Sequence, residues 1–243
     1  MTGIAGAALA GLAAGGALLV GAVIAWLVDV PRTLVASIMA FGSGVLMSAL
    51  SFDLVLEAEE SGGLTATAAG FAVGAVAYVG LNRLLDVIDA RNPRHRGGDP
   101  GTGLGIALGA LLDGIPESAV LGLSMVGGTT VSIPMLAAIV ISNVPEGLSS
   151  TAALKASGRS ARYTFALWGG IALACSVAAV VGLAVLDDAS AATSSFVMAV
   201  AAGAILAMVC DTMIPEAFKK AHGATGLLAT AGFLLSFSIH LMG

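Results

Sequence analysis

Apolar positions run almost unbroken along this chain, and polar residues gather in short stretches between them. Eight apolar segments stand out, over 4–28, 33–56, 64–86, 102–125, 130–154, 163–186, 193–218 and 224–242. Each is close to the ~20 residues an α-helix needs to cross a bilayer. The pattern predicts an all-α integral membrane protein of eight transmembrane helices. Together the segments use most of 1–243, so a single transmembrane domain is expected and no soluble domain is left over.

Composition agrees with that class. The chain is 58% hydrophobic and 10% charged, with a mean hydropathy of +1.00. Soluble domains carry about 25% charged residues, so this chain cannot cover a globule with polar surface. Its 33 glycines suit helices packed through small residues. Gly11 with Gly15, and Gly101 with Gly105 and Gly109, form ridges of that kind.

Charge tests the helix count. No Lys or Arg precedes Ile4, which argues against a cleaved leader and puts the N-terminus outside. The connections after segments 1, 3, 5 and 7 then hold Arg32; Arg83, Arg91, Arg94 and Arg96; Lys155, Arg159 and Arg162; and Lys219 and Lys220, which is all 10 basic residues. The opposite connections hold Glu57, Glu59, Glu60, Asp187 and Asp188. This is the positive-inside asymmetry. It predicts both termini outside, a cytoplasmic loop over 82–101 and, for localisation, the plasma membrane. Part of the net charge of −5 becomes an outer acidic rim that would concentrate cations; ordinary solvated loop charges explain it equally well. Cys175 and Cys210 lie inside segments and read as small buried hydrophobes.

A weak internal repeat is present. Gly44-Val45-Leu46-Met47 matches Gly203-Ala204-Ile205-Leu206, Glu57-Ala58 matches Glu216-Ala217, and Ala69-Gly70-Phe71 matches Ala231-Gly232-Phe233 after a short slip. Segments 2 and 7 would run in opposite directions, so the repeat is inverted. It relates segments 1–3 to 6–8 around central segments 4 and 5, a pattern found in many transporters.

The residues that carry chemistry lie in segments 4 and 5. These read Leu112-Asp113-Gly114-Ile115-Pro116-Glu117-Ser118 and Ser142-Asn143-Val144-Pro145-Glu146-Gly147-Leu148. Asp113 and Asn143 fall near mid-segment. An acid there costs roughly 2.5–3.5 kcal/mol on insertion scales, and a bound cation is the simplest compensation. Asp113 and Glu117 share a helix face, as do Ser142 and Glu146. Each proline also frees the carbonyl four residues earlier, those of Leu112 and Ile141. Three carboxylates, an amide and a hydroxyl suit Mg²⁺, Ca²⁺ or Mn²⁺ and accept Fe²⁺ or Zn²⁺. Asp53, Asp211 and Glu216 are further intramembrane acids that could serve as steps into and out of such a site. For Glu57 and Glu216 the preferred reading is a helix-end acid solvated at the interface; for Asp211 the two readings balance. His95, His222 and His240 read as solvated or interfacial.

These residues resemble the ZIP (Zrt/Irt-like) family of divalent metal transporters. The likeness rests on the segment count, the termini, the loop after segment 3, the Asn143-Val144-Pro145-Glu146-Gly147 stretch and the Ile214-Pro215-Glu216-Ala217 ending of segment 7. It implies a transporter domain that takes up Zn²⁺, Fe²⁺, Mn²⁺ or Cd²⁺ toward the cytoplasm, with Glu117 and Glu146 as core ligands. It implies no prosthetic cofactor, no nucleic-acid partner, membrane lipid around the bundle, and a homodimer. Asp113 stands where the family usually has His and Gly114 where it often has Asn, and segment 6 offers no acid at Gly170–Ala174. One ion is therefore expected, with a shift toward harder ions. An intramembrane metal-dependent enzyme and a proton-coupled solute carrier are the alternatives. The chain has neither H-E-x-x-H nor G-x-S-x-G, and with 5% aromatics and no mid-segment Arg it lacks contacts for an organic solute.

Overall fold

The computed structural model describes residues 3–91, 103–126, 130–186 and 189–242. Among them every regular element is helical. The order is α1 (Gly3–Leu27), α2 (Arg32–Ala49), a π turn (Leu50–Val55), α3 (Leu56–Arg91), α4 (Gly103–Leu123), α5 (Ile133–Ala156), α6 (Ala161–Leu186), α7 (Ala191–Met208), a second π turn (Val209–Met213), α8 (Ile214–Ala221), a 3₁₀ turn (His222–Ala224) and α9 (Thr225–Met242). Local signals set several ends. The Ser132 and Ser190 side chains accept from the Met135 and Thr193 backbone N–H groups and cap α5 and α7. Gly158, at φ 78°, follows the end of α5.

Among the described residues, five helical runs are long and apolar enough to cross a membrane: Gly3–Leu27, Arg32–Leu85, Ile133–Ala156, Ala161–Leu186 and Ala191–Met242. Two of them, at 54 and 52 residues, are more than twice the ~20 residues of one crossing. Each of these two contains a break. Gly63 sits at φ 81°, ψ 164° inside the first, and His222 at φ 44°, ψ −122° inside the second. The chain is an all-α membrane protein, and its packing says so as clearly as its length.

That packing puts many small residues at the helix contacts and many large apolar ones outside, with Trp168, Leu18, Leu46 and Ile139 buried as well. Ala7, Ala10, Ala14, Ala22, Ala138, Ala179 and Ala202 are completely buried, while Leu9, Val20, Val76, Leu173, Val177, Leu227 and Leu241 are exposed. In lipid, large apolar side chains gain nothing by burial, and helices associate where small residues let backbones touch. Here α1 packs on α5 and α6, α2 on α9 and α5, α3 on α7, and α4 on α6 and α7. Gly44 lies against the Ala229 carbonyl and Gly203 against the Phe71 carbonyl, so that a Cβ at either would collide with backbone.

Several expectations change. Helix α3 runs on to Arg91, well into the segment read as loop, and the rest of 82–101 lies outside the described residues, with Arg94, His95 and Arg96. Asp187 and Asp188 also lie outside them. The Gly11–Gly15 ridge does meet α6, at Ser176 and Ala172, but a Cβ at Gly109 would touch nothing. Cys175 is buried as expected, whereas Cys210, in the second π turn, is exposed.

Candidate functional site

The two Pro-Glu motifs meet in the interior. Glu117, Ser142 and Asn143 are each 1% exposed and Asp113 8%; Glu146 is partly buried. Asp113, Glu117 and Glu146 are near enough for their charges to act on one another. The Asn143 amide donates to the Ala14 carbonyl at 3.0 Å and lies close enough to Glu117 to act on its charge. The amide donates through its nitrogen, so its oxygen stays available as an acceptor or ligand. The Ser142 hydroxyl donates to the Ile139 carbonyl at 2.9 Å, which leaves its lone pairs free. Most telling is Glu117 Oε2, a buried carboxylate oxygen with no hydrogen-bond partner.

Three residues outside the two motifs join them. Glu216, read from sequence as a solvated helix-end acid, acts electrostatically on both Asp113 and Glu146 and accepts from Ser149 Oγ at 2.7 Å. It is exposed and lines an open cavity described below. Tyr78 of α3 is 3% exposed; its hydroxyl donates to Asp113 Oδ1 at 2.7 Å and lies 3.1 Å from Thr212 Oγ1 in the second π turn. Glu216 could have been found from its Pro-Glu pair. Nothing in the local pattern marks Tyr78 or Thr212.

Two cavities lie toward opposite ends of α5. One, of about 400 Å³, is lined by Asp53, Glu57, Glu60, His240 and the early α5 residues Ser132 and Met135. The other, of about 540 Å³, is lined by Asp211, Thr212, Glu216, Arg32, Lys219 and Lys220, with Leu148 and Ala156 from late α5. The first cavity carries acids and a histidine, whereas the second carries Arg32, Lys219 and Lys220 beside Asp211 and Glu216. Lys155, at the basic end, reaches Asp29 at 3.5 Å and the Trp26 carbonyl at 3.2 Å.

Of the outlying acids, Asp211 is exposed in the basic-end cavity. Asp53 lines the acidic-end cavity and pairs with His240, Nδ1 to Oδ1, at 2.7 Å. His240 is therefore a partner of a buried acid rather than a freely solvated ring. Among the described residues no three His, Cys, Asp or Glu side chains are grouped tightly enough to hold one ion. The central acids are neighbours, not a closed cage.

No family profile matches the chain. It is 29% identical over 182 residues, 74% of its length, to an Arabidopsis thaliana protein named "Putative zinc transporter". The match spans 29% of that protein, so the chain corresponds to less than a third of its relative.

Proposed function

We propose that this protein carries divalent metal cations across the membrane toward the cytoplasm, as the ZIP family does, with zinc, iron, manganese or cadmium as cargo. The observation that carries the proposal is Glu117 Oε2, unpartnered and buried among further acids. A buried carboxylate oxygen left unsatisfied costs about 1–3 kcal/mol or more, and an arriving cation removes that cost. Asp113, Glu117 and Glu146 supply the charge, and the free oxygens of Asn143 and Ser142 complete an oxygen donor set. Because the acids stand apart, loading draws them inward.

The two cavities supply the route. Cations gather at Asp53, Glu57 and Glu60, pass to the central acids, and leave past Glu216 and Asp211 into the cavity edged by Arg32, Lys219 and Lys220. The basic end faces the cytoplasm by the positive-inside rule, which sets both termini outside. A zinc-transporter relative at 29% identity supports metal as the cargo. The inference does not extend to what the rest of that longer protein does.

In the same reading the chain crosses eight times. Each long run is two crossings, divided near Gly63 and His222, and α4 is a crossing of its own. The halves are related by an inverted repeat. The π turns begin at Leu50 and Val209, the same spacing that separates Gly44 from Gly203 and Glu57 from Glu216. The packing partners also exchange in register. α2 on α9 corresponds to α7 on α3, and α1 on α5 to α6 on α4. This is the geometry of transporters that rock one repeat against another around a central site.

Uptake of Zn²⁺, Mn²⁺, Fe²⁺ and Cd²⁺ into proteoliposomes tests the proposal, with Glu117→Ala and Glu146→Ala beside the native protein. Uptake of at least one ion, abolished in both variants, is the expected result. Failure of every ion to enter, or native-like uptake by the variants, overturns it.

A further inference from the structure

We propose that Tyr78 sets the ion selectivity of the central site by fixing how Asp113 presents its carboxylate; this rests on the metal-transport reading above. The phenol has one proton and two polar neighbours, Asp113 Oδ1 at 2.7 Å and Thr212 Oγ1 at 3.1 Å. An ionised carboxylate only accepts, so the phenolic proton goes to Asp113 and the Thr212 hydroxyl donates to the Tyr78 oxygen. The chain Thr212 to Tyr78 to Asp113 therefore points one way, and its last link is charge-assisted and short.

The consequence is geometric. Oδ1 of Asp113 is tied toward α3, and Oδ2 is left as the oxygen free to meet an ion. Tyr78 is buried and its ring is held by packing, so the tie is stiff. A carboxylate oxygen that already accepts from a phenol is the poorer ligand, so Asp113 ligates chiefly through the other. One-oxygen ligation fits a small ion with few ligands, as Zn²⁺ takes about four. Larger ions with roughly six to eight oxygen ligands gain from bidentate carboxylates. Once untied, Asp113 can turn about its terminal torsion, which is broad, and offer both oxygens. Tyr78 is thus a positioning residue that acts through Asp113 and disfavours the larger ions.

The test is uptake of Zn²⁺ and Mn²⁺ supplied together to proteoliposomes. Tyr78→Phe keeps the ring and removes the tie. The expected result is continued uptake with the Mn²⁺ to Zn²⁺ ratio raised about five- to tenfold, the size of effect of one ordinary hydrogen bond. The change should come from a lower KM for Mn²⁺ at an unaltered maximal rate. Thr212→Val, which only loosens Tyr78, should move the ratio the same way by less. In an Asp113→Asn background, Tyr78→Phe should add nothing. An unmoved ratio in Tyr78→Phe overturns the proposal, as does a shift that persists without the Asp113 charge. If Tyr78→Phe does not fold, an unmoved ratio in Thr212→Val overturns it. Native uptake that depends on Glu117 and Glu146, with an unmoved ratio, sinks this proposal alone; no native uptake sinks the transport reading with it.

Discussion

His240 and Asp53 hold each other at 2.7 Å, joining α9 to the π turn that follows α2. The contact spans 187 residues of sequence and sits under the His240 ring's contact with Phe52, whose centroid is 5.5 Å away. The second Asp53 oxygen is buried and has no hydrogen-bond partner. His240→Ala therefore leaves a buried acid with nothing to accept from. A loss of about 1–3 kcal/mol is expected, read as a lower thermal midpoint in detergent. Asp53→Asn in the same chain removes the charge and should return part of that loss. A midpoint unchanged in His240→Ala would show that the pair contributes nothing to stability.

Glu117→Gln separates stability from function at the central site. The substitution keeps the shape while removing a buried charge, one of whose oxygens has no partner. The metal-free variant should melt at or above the native protein, because functional acids in an apolar interior are held at a cost in stability. Added Zn²⁺ or Mn²⁺ should raise the native midpoint and leave that of the variant unmoved. A variant still stabilised by metal would remove Glu117 from the ligand set.

Much of this was legible in the sequence because charge in a membrane protein is rationed. Pro116-Glu117 and Pro145-Glu146 stood out against apolar neighbours, and three of the basic residues, Arg32, Lys219 and Lys220, gather at one cavity. Glu216 carried the same Pro-Glu signal, but its nearness to Lys219 and Lys220 made a solvated helix end the simpler reading. That reading missed the cavity, which is formed by α2 and α5 as well as by α8. Tyr78 and Thr212 left no trace, since a hydroxyl on an apolar helix shows its partner only in three dimensions. The π turns were equally hidden: one extra residue in a turn leaves no periodic mark.

The glycines differ sharply in what they will tolerate. A Cβ at Gly44 would strike the Ala229 carbonyl and one at Gly203 the Phe71 carbonyl, both backbone atoms that cannot turn aside. Gly44→Ala and Gly203→Ala should each cost about 1–3 kcal/mol through overpacking. At Gly80 and Gly109 a Cβ meets nothing, so alanine there should be neutral or stabilising by roughly 0.5–1 kcal/mol. Thermal unfolding of the four variants in one detergent checks the ranking. Equal effects at all four sites would mean that α2–α9 and α3–α7 are not in close contact.

The division of the long runs into crossings has a direct chemical test. Glu59 and Arg83 lie in the same 54-residue run, Arg32–Leu85, on either side of Gly63, and both are exposed. If the run crosses the membrane twice, Glu59 faces outward and Arg83 faces the cytoplasm, as does Lys219. Cysteines placed singly at these positions, with Cys175 and Cys210 replaced by alanine, should separate cleanly. A membrane-impermeant maleimide should label Glu59→Cys in intact cells, and Arg83→Cys and Lys219→Cys only after permeabilisation. Labelling of Glu59→Cys and Arg83→Cys from the same side would leave no crossing between them. The inverted repeat would then fail with it, because α3 and α9 could not correspond.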